Sequence, residues 1–182
     1  GAFVFMKIGV RKMCTMAILA ALSLVLMLII RFPIIPVAPW LEYEPADVPI
    51  LIGGLVYGPA AGIIITIAAA LVQALTVSAS SGWVGFMMHV IATGTLVTVV
   101  SAYYKYHRTH RGAIIALILG CISMTAVMIP TNLIVSVHFW GMTLEEVKAL
   151  IVPALIPFNL IKSGANSVIV LLIYKSLRKI IR

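Results

Sequence analysis

The sequence predicts an all-α integral membrane protein, a single domain over residues 1–182 that crosses the bilayer six times. Three observations predict it. Of the 182 residues, 63% are hydrophobic, where a soluble domain holds about 45–50%, and the mean hydropathy is +1.17. Only 10% are charged, against roughly 25% in soluble domains. A soluble fold of this size cannot hide that apolar excess, so lipid must solvate much of the surface. Finally, the apolar residues come in long runs parted by short polar or proline-rich breaks, and a helix needs about 20 of them to cross a bilayer.

The first span is placed at 13–31, from Met13 to Arg31, and Phe32-Pro33 and Pro36 close it. It is as long as a full span and no A-x-A-like site follows it, so it reads as a retained helix rather than a cleaved signal. A polar, proline-rich connection over 32–47 carries Trp40, Glu42, Tyr43, Glu44 and Asp47. A short apolar segment at 48–57 ends at the turn signal Gly58-Pro59. The third span is placed at 60–77, the fourth at 83–104, the fifth at 112–137 and the sixth at 151–174. The small residues Ser78 to Gly82, the basic stretch Lys105 to Arg111 and the polar stretch 138–150 connect them.

The segment 48–57 rises only about 15 Å as a helix, half the hydrocarbon thickness. Charge decides how to count it. Ten of the 13 basic residues fall in three groups: Lys7, Arg11 and Lys12; Lys105, Arg108 and Arg111; Lys175, Arg178, Lys179 and Arg182. The positive-inside rule puts all three in the cytoplasm, and with them both termini. That requires 48–57 to be a crossing, tilted or shielded by its neighbours. All five acids (Glu42, Glu44, Asp47, Glu145, Glu146) then fall outside. The net charge of +8 is therefore an orientation signal, and nucleic acid is not an expected partner.

Polar residues inside spans are expensive and point to function. Lys162 stands about a dozen residues into the sixth span, with no acid inside a span to pair it. Asn159, Lys162 and Asn166 share one helix face, and Asn132 lies at the same height as Asn159 below the outer end of its own span. Amides and an ammonium suit a neutral ligand rich in carbonyls and ring nitrogens; the blander reading is that they glue helices together. Trp40, Leu41 and Tyr43 either cover an aromatic ligand or form an interfacial belt. Gln73 reads as helix glue, His89 as a satisfied interior histidine, and Cys14 and Cys121 as small buried hydrophobes. Ala17 and Ala21 make a small-xxx-small pair that packs inside the protein or docks another subunit. These 182 residues hold no G-x-x-x-x-G-K-[ST], no G-x-S-x-G, no H-E-x-x-H and no Cys/His metal spacing. The chain therefore reads as a non-enzyme without a metal or cofactor, and any solute it moves is driven by a partner's energy.

The stretch Leu41-Glu42-Tyr43-Glu44-Pro45-Ala46-Asp47-Val48-Pro49, then Gly53-Gly54 and Gly58-Pro59-x-x-Gly62, then Pro130-Thr131-Asn132 and Phe158-Asn159-x-x-Lys162 together resemble the S components of energy-coupling-factor (ECF) vitamin transporters. The resemblance is closest to the riboflavin-specific S component and runs over about residues 11–180. It implies an S-component-type bundle of six helices in the cell membrane, binding vitamin from outside. Asn132, Asn159 and Lys162, with Thr131 beside them, are expected at the flavin, and Trp40, Leu41 and Tyr43 over it. Flavin mononucleotide fits the same expectation if its phosphate reaches solvent. Ala17 and Ala21 match the first-helix motif that meets the transmembrane coupling subunit, and two ATPase subunits complete the implied assembly. Glu44 stands where the family more often has Asp. The rival readings are an S component for another vitamin such as thiamine, whose cation wants an acid in the pocket; a membrane enzyme or channel; and an assembly subunit without a ligand.

Overall fold

The computed structural model describes residues 9–77 and 79–181, with side chains described as far as Lys179. Lys7, Ser78 and Arg182, used above, lie outside the described residues. The elements in chain order are α1 (Val10–Ile29), the two-residue strands β1 (Phe32–Pro33) and β2 (Glu42–Tyr43), α2 (Asp47–Tyr57), α3 (Pro59–Leu75), α4 (Gly82–Tyr106), α5 (His110–Phe139), α6 (Leu144–Leu150) and α7 (Ile156–Ile181). A single π-helical turn, Ile151–Leu155, joins α6 to α7, so the described residues form six helical rods. Four are long and apolar enough to cross a membrane: α1, α4, α5 and the continuous Leu144–Lys179; α2 and α3 are apolar but shorter.

The apolar runs become helices because nothing inside them competes. The breaks fall where the backbone needs them. Gly58 takes φ 93° between α2 and α3, a left-handed conformation that glycine adopts without penalty, and Pro59 then starts α3 with its ring at the first position. Thr109 caps α5 by accepting from the Gly112 N–H at 2.9 Å. Thr143 and Glu146 cap α6 reciprocally, satisfying two amides that helix geometry leaves open.

The short α2 is the most enclosed helix. Asp47, Val48, Pro49, Ile50, Leu51, Gly53, Gly54 and Leu55 are all buried, and α1, α3, α4 and α7 pack around it. Its length is tolerable because protein surrounds it. Missing side chains let it nest: a Cβ on Gly54 would stand 2.6 Å from Val97 Cγ2. A Cβ on Gly62 of α3 would stand 2.6 Å from the same Val97 atom and 3.3 Å from the Gly54 Cα. Without a hydrophobic force between helices in lipid, such close backbone approach supplies the packing energy.

The apolar core fills the end of the bundle where α4 finishes and α5 begins. Leu96, Val97 and Val100 of α4 meet Ala113, Ala116 and Leu117 of α5 and Val170 of α7 there. The Tyr104 and Tyr174 hydroxyls bond each other at 2.9 Å across this end. On α1 the face Met16, Ser23 and Met27 is buried, while Ala17 and Ala21 are exposed on its outer face. They do not pack inside the protein. Cys14 is exposed and Cys121 half-buried; neither is the buried hydrophobe expected.

Gly62→Val should wedge α3 off α2 and α4 and cost about 1–3 kcal/mol. A melting temperature in detergent equal to that of the wild type would show that this contact is not close-packed.

Candidate functional site: a roofed cavity between α3, α4, α5 and α7

The connection 30–46 does not stay at the surface. Two short strands pair Phe32 with Tyr43 and Pro33 with Glu42, and turns at Ile35–Ala38 and Ala38–Leu41 fold the tip back. The descending limb is then pinned from two sides. Ser23 of α1 donates to the Ala46 carbonyl at 2.7 Å. Asn166 of α7 uses its whole amide: its Nδ2 donates to the Glu44 carbonyl at 3.2 Å and to Asp47 Oδ2 at 3.5 Å, and its Oδ1 accepts from the Tyr43 hydroxyl at 2.9 Å. Burial and the Asp47 carboxylate push the Tyr43 phenol up, with Lys162 opposing, so Tyr43 remains a donor. Asp47, fully buried at the start of α2, also accepts from Thr93 Oγ1 of α4 at 2.7 Å.

Lys162 is not the unpaired ammonium that the sequence suggests. Its Nζ donates to Glu44 Oε1 at 3.0 Å, with both side chains about nine-tenths buried. The sequence reading saw no acid within reach of it, but the pinned loop carries Glu44 down to the lysine, while Asp47 enters the helix bundle. Lys162 Nζ also lies 5.9 Å from the centre of the Phe158 ring.

Above this pair lies a cavity. Asn132 of α5 and Asn159 and Lys162 of α7 line one wall, and Trp40 and Leu41 line the roof. Asn132 and Asn159 do not glue helices together. Each donates Nδ2 at 2.8 Å to the carbonyl four residues back in its own helix, Met128 and Leu155. Each keeps an oxygen and a second N–H for the cavity. Met88, Ala92, Met124, Met128, Leu155 and Phe158 supply apolar surface. Two expected residues are not among the lining: Tyr43 bonds Asn166, and Thr131 donates to the Val127 carbonyl of its own helix.

The structure adds residues that the sequence did not point to. Arg31 and Glu42 line the mouth and form an ion pair, and Trp140, where α5 ends, also lines the cavity. Gln73, Ser81 and His89 line the α3–α4 side. A tryptophan ending a long apolar run was a usable signal; the inward turn of Glu42 and Glu44 had none beyond the need of Lys162 for a counter-charge. No group of three metal-binding side chains occurs among the described residues.

A pocket that is mostly apolar, with a few convergent donors and acceptors, is built to bind a small molecule. A family model, "ECF transporter, substrate-specific component", matches residues 11–174. The chain belongs to this family. Among its relatives, "Riboflavin transporter RibU" of Staphylococcus aureus is 30% identical over 178 residues, covering 94% of this chain and 93% of that one. "Riboflavin transporter FmnP" of Bacillus subtilis is also 30% identical, covering 93% of each. A solved S component of a bacterial ECF transporter superposes with a TM-score of 0.81 at 31% identity, covering 94% of this chain and 98% of that one. Membership agrees with a non-enzyme that handles a transported solute.

For this S component, Glu44→Gln should strip the Lys162 ammonium of its counter-charge and cost about 3 kcal/mol of stability. Glu44→Gln combined with Lys162→Met, which removes both charges, should recover most of that loss in thermal unfolding without ligand. Losses that simply add would show that the two groups are not coupled.

Proposed function

We propose that this chain is the riboflavin-binding subunit of an ATP-driven ECF vitamin importer and captures the vitamin at the outer face of the cell membrane. In this reading the chain crosses six times, α2 and α3 included, with both termini cytoplasmic. The cavity mouth then lies at the acidic, outer end and the basic groups at the inner end. A transmembrane coupling subunit, meeting α1 at Ala17 and Ala21, and two ATPases supply the energy. The exposure of both alanines favours that contact.

The observation that carries the ligand assignment is the wall of Asn132, Asn159 and Lys162 in a chain whose relatives are named riboflavin transporters. Two free amide edges and an ammonium with N–H groups to spare match the alternating carbonyls and nitrogens of a flavin's pyrimidine edge. The apolar residues accept its dimethylbenzene end, and Trp40 and Leu41 close over the ring. Tyr43 and Thr131 act from behind, Tyr43 by holding the roof through Asn166. Flavin mononucleotide is accommodated if its phosphate projects past Arg31 at the mouth. Thiamine fits less well. The cavity does hold carboxylates, Glu42 and Glu44, but each is already paired with a cation, which leaves none for a cationic ligand.

The test is the visible absorption and flavin fluorescence of the detergent-purified protein with added riboflavin. A yellow protein with quenched fluorescence is expected. In Lys162→Met a lost charged hydrogen bond of about 1.5–3 kcal/mol should weaken binding roughly ten- to hundredfold. Riboflavin that stays fluorescent with the wild type overturns the ligand; unchanged affinity in Lys162→Met overturns the assignment of the site.

A further inference from the structure

His89 sits two helical turns into α4 and lines the cavity. It is only 8% exposed. Both ring nitrogens are buried without a hydrogen-bond partner, and they are the only such side-chain atoms among the described residues. The sequence suggested a satisfied interior histidine; it is interior but not satisfied. Buried polar atoms nearly always have partners, so an orphan lining a ligand cavity calls for one.

The nearest charged group tells which kind. His89 Nε2 stands 3.8 Å from Asp47 Oδ1, beyond hydrogen-bond length but facing a carboxylate that can only accept. Nε2 is thus turned to a carboxylate of the chain itself, and Nδ1 is left without a partner. Asp47 does not compete for the cavity, since Thr93 and Asn166 already hold it. The missing partner of Nδ1 is therefore a polar group on the ligand.

The neighbouring residues say which part of the ligand. Gly85, Met88, His89 and Ala92 lie on one face of α4 and line the cavity together with Ser81, the residue before the helix, and Gln73 of α3. Gly85 and Ala92 carry little side chain there. A flat ring is served by the α5–α7 wall. A wall with an imidazole, an amide and a hydroxyl along it suits a polyol chain, whose every hydroxyl both donates and accepts.

We propose that His89 hydrogen-bonds through Nδ1 to a hydroxyl of the ligand's ribityl chain, making the α3–α4 wall a polyol subsite separate from the ring subsite. This rests on the flavin reading above. It predicts a preference that the ring contacts alone do not give. Wild type should bind riboflavin more tightly than lumiflavin, which has the same ring with a methyl group in place of the ribityl chain.

The experiment titrates both flavins into the purified full chain, as wild type, His89→Phe and His89→Asn, following fluorescence quenching. His89→Phe keeps a ring but no ring nitrogen. It should weaken riboflavin about tenfold and leave lumiflavin within about twofold. Retained lumiflavin binding also certifies the fold. Unchanged riboflavin affinity overturns the proposal, and so does equal weakening of both flavins. If both variants lose both ligands, His89 serves the fold and the proposal is likewise overturned. A wild type that binds neither flavin instead overturns the flavin reading itself, an outcome no other arm produces.

Discussion

A charge on α7 and an acid on a surface connection cannot both stay where their helices leave them. Lys162 lies six residues into α7, where an ammonium facing lipid costs roughly 2.5–3.5 kcal/mol or more. Glu44 belongs to a loop that would otherwise stay in water. Their ion pair at 3.0 Å satisfies the lysine only by drawing the loop into the bundle. A buried pair of this kind adds little net stability over an apolar pair of the same shape. Its consequence here is positional, because once Glu44 is inside, its neighbours in sequence have one place to go. Tyr43 reaches Asn166, Asp47 reaches Thr93, and the Ala46 carbonyl meets Ser23. The roof of the cavity is thereby tied to α1, α4 and α7 together.

The same constraint explains the short helix. Asp47 opens α2, where its charge complements the helix N-terminus. The pinned loop therefore delivers α2 to the middle of the bundle rather than its rim. Surrounded by four helices, it meets no lipid that its length must match. The two-glycine contact at Gly54 and Gly62 lets α3 and α4 close on it. The loop, α2 and the cavity are thus one mechanical unit, and moving the roof means disturbing Asn166 and Lys162 as well.

Much of this was legible in the sequence, for identifiable reasons. The helices lie close to the expected runs because apolar runs and their Pro and Gly breaks are local signals. Segment 48–57 was counted as a crossing because three basic groups constrain parity; the structure makes it the helix α2. Asn132, Asn159 and Lys162 meet at one cavity because equal depth on neighbouring helices follows from 1.5 Å per residue. What was not legible depends on tertiary pairing. The cost of Lys162 was visible, but which acid relieves it depends on how a loop folds, and period-3.6 arithmetic says nothing about loops. His89 was misjudged for the opposite reason: most buried histidines find partners, and only coordinates reveal one that has not. Trp140 went unassigned because the polar stretch 138–150 hid that α5 ends over the cavity.

The two ends of the bundle differ in kind, and that difference limits what the chain can do alone. On α4 the cavity residues run from Ser81 to Ala92, and on α5 from Met124 to Asn132. The adjoining stretches, Leu96 to Tyr104 and Ala113 to Leu117, are close-packed core. A ligand in this cavity would thus rest on a plug of core side chains closed by the Tyr104–Tyr174 hydroxyl bond. Passing it through would mean parting α4 from α5 through this core. Binding energy spent on a few polar contacts cannot also do that, because a ligand shifts a conformational balance only by its difference in affinity between the two states. Opening the roof disturbs one loop and one ion pair, whereas opening the floor disturbs the core. Capture is therefore within reach of this chain by itself, and release on the far side calls for work done on it from outside.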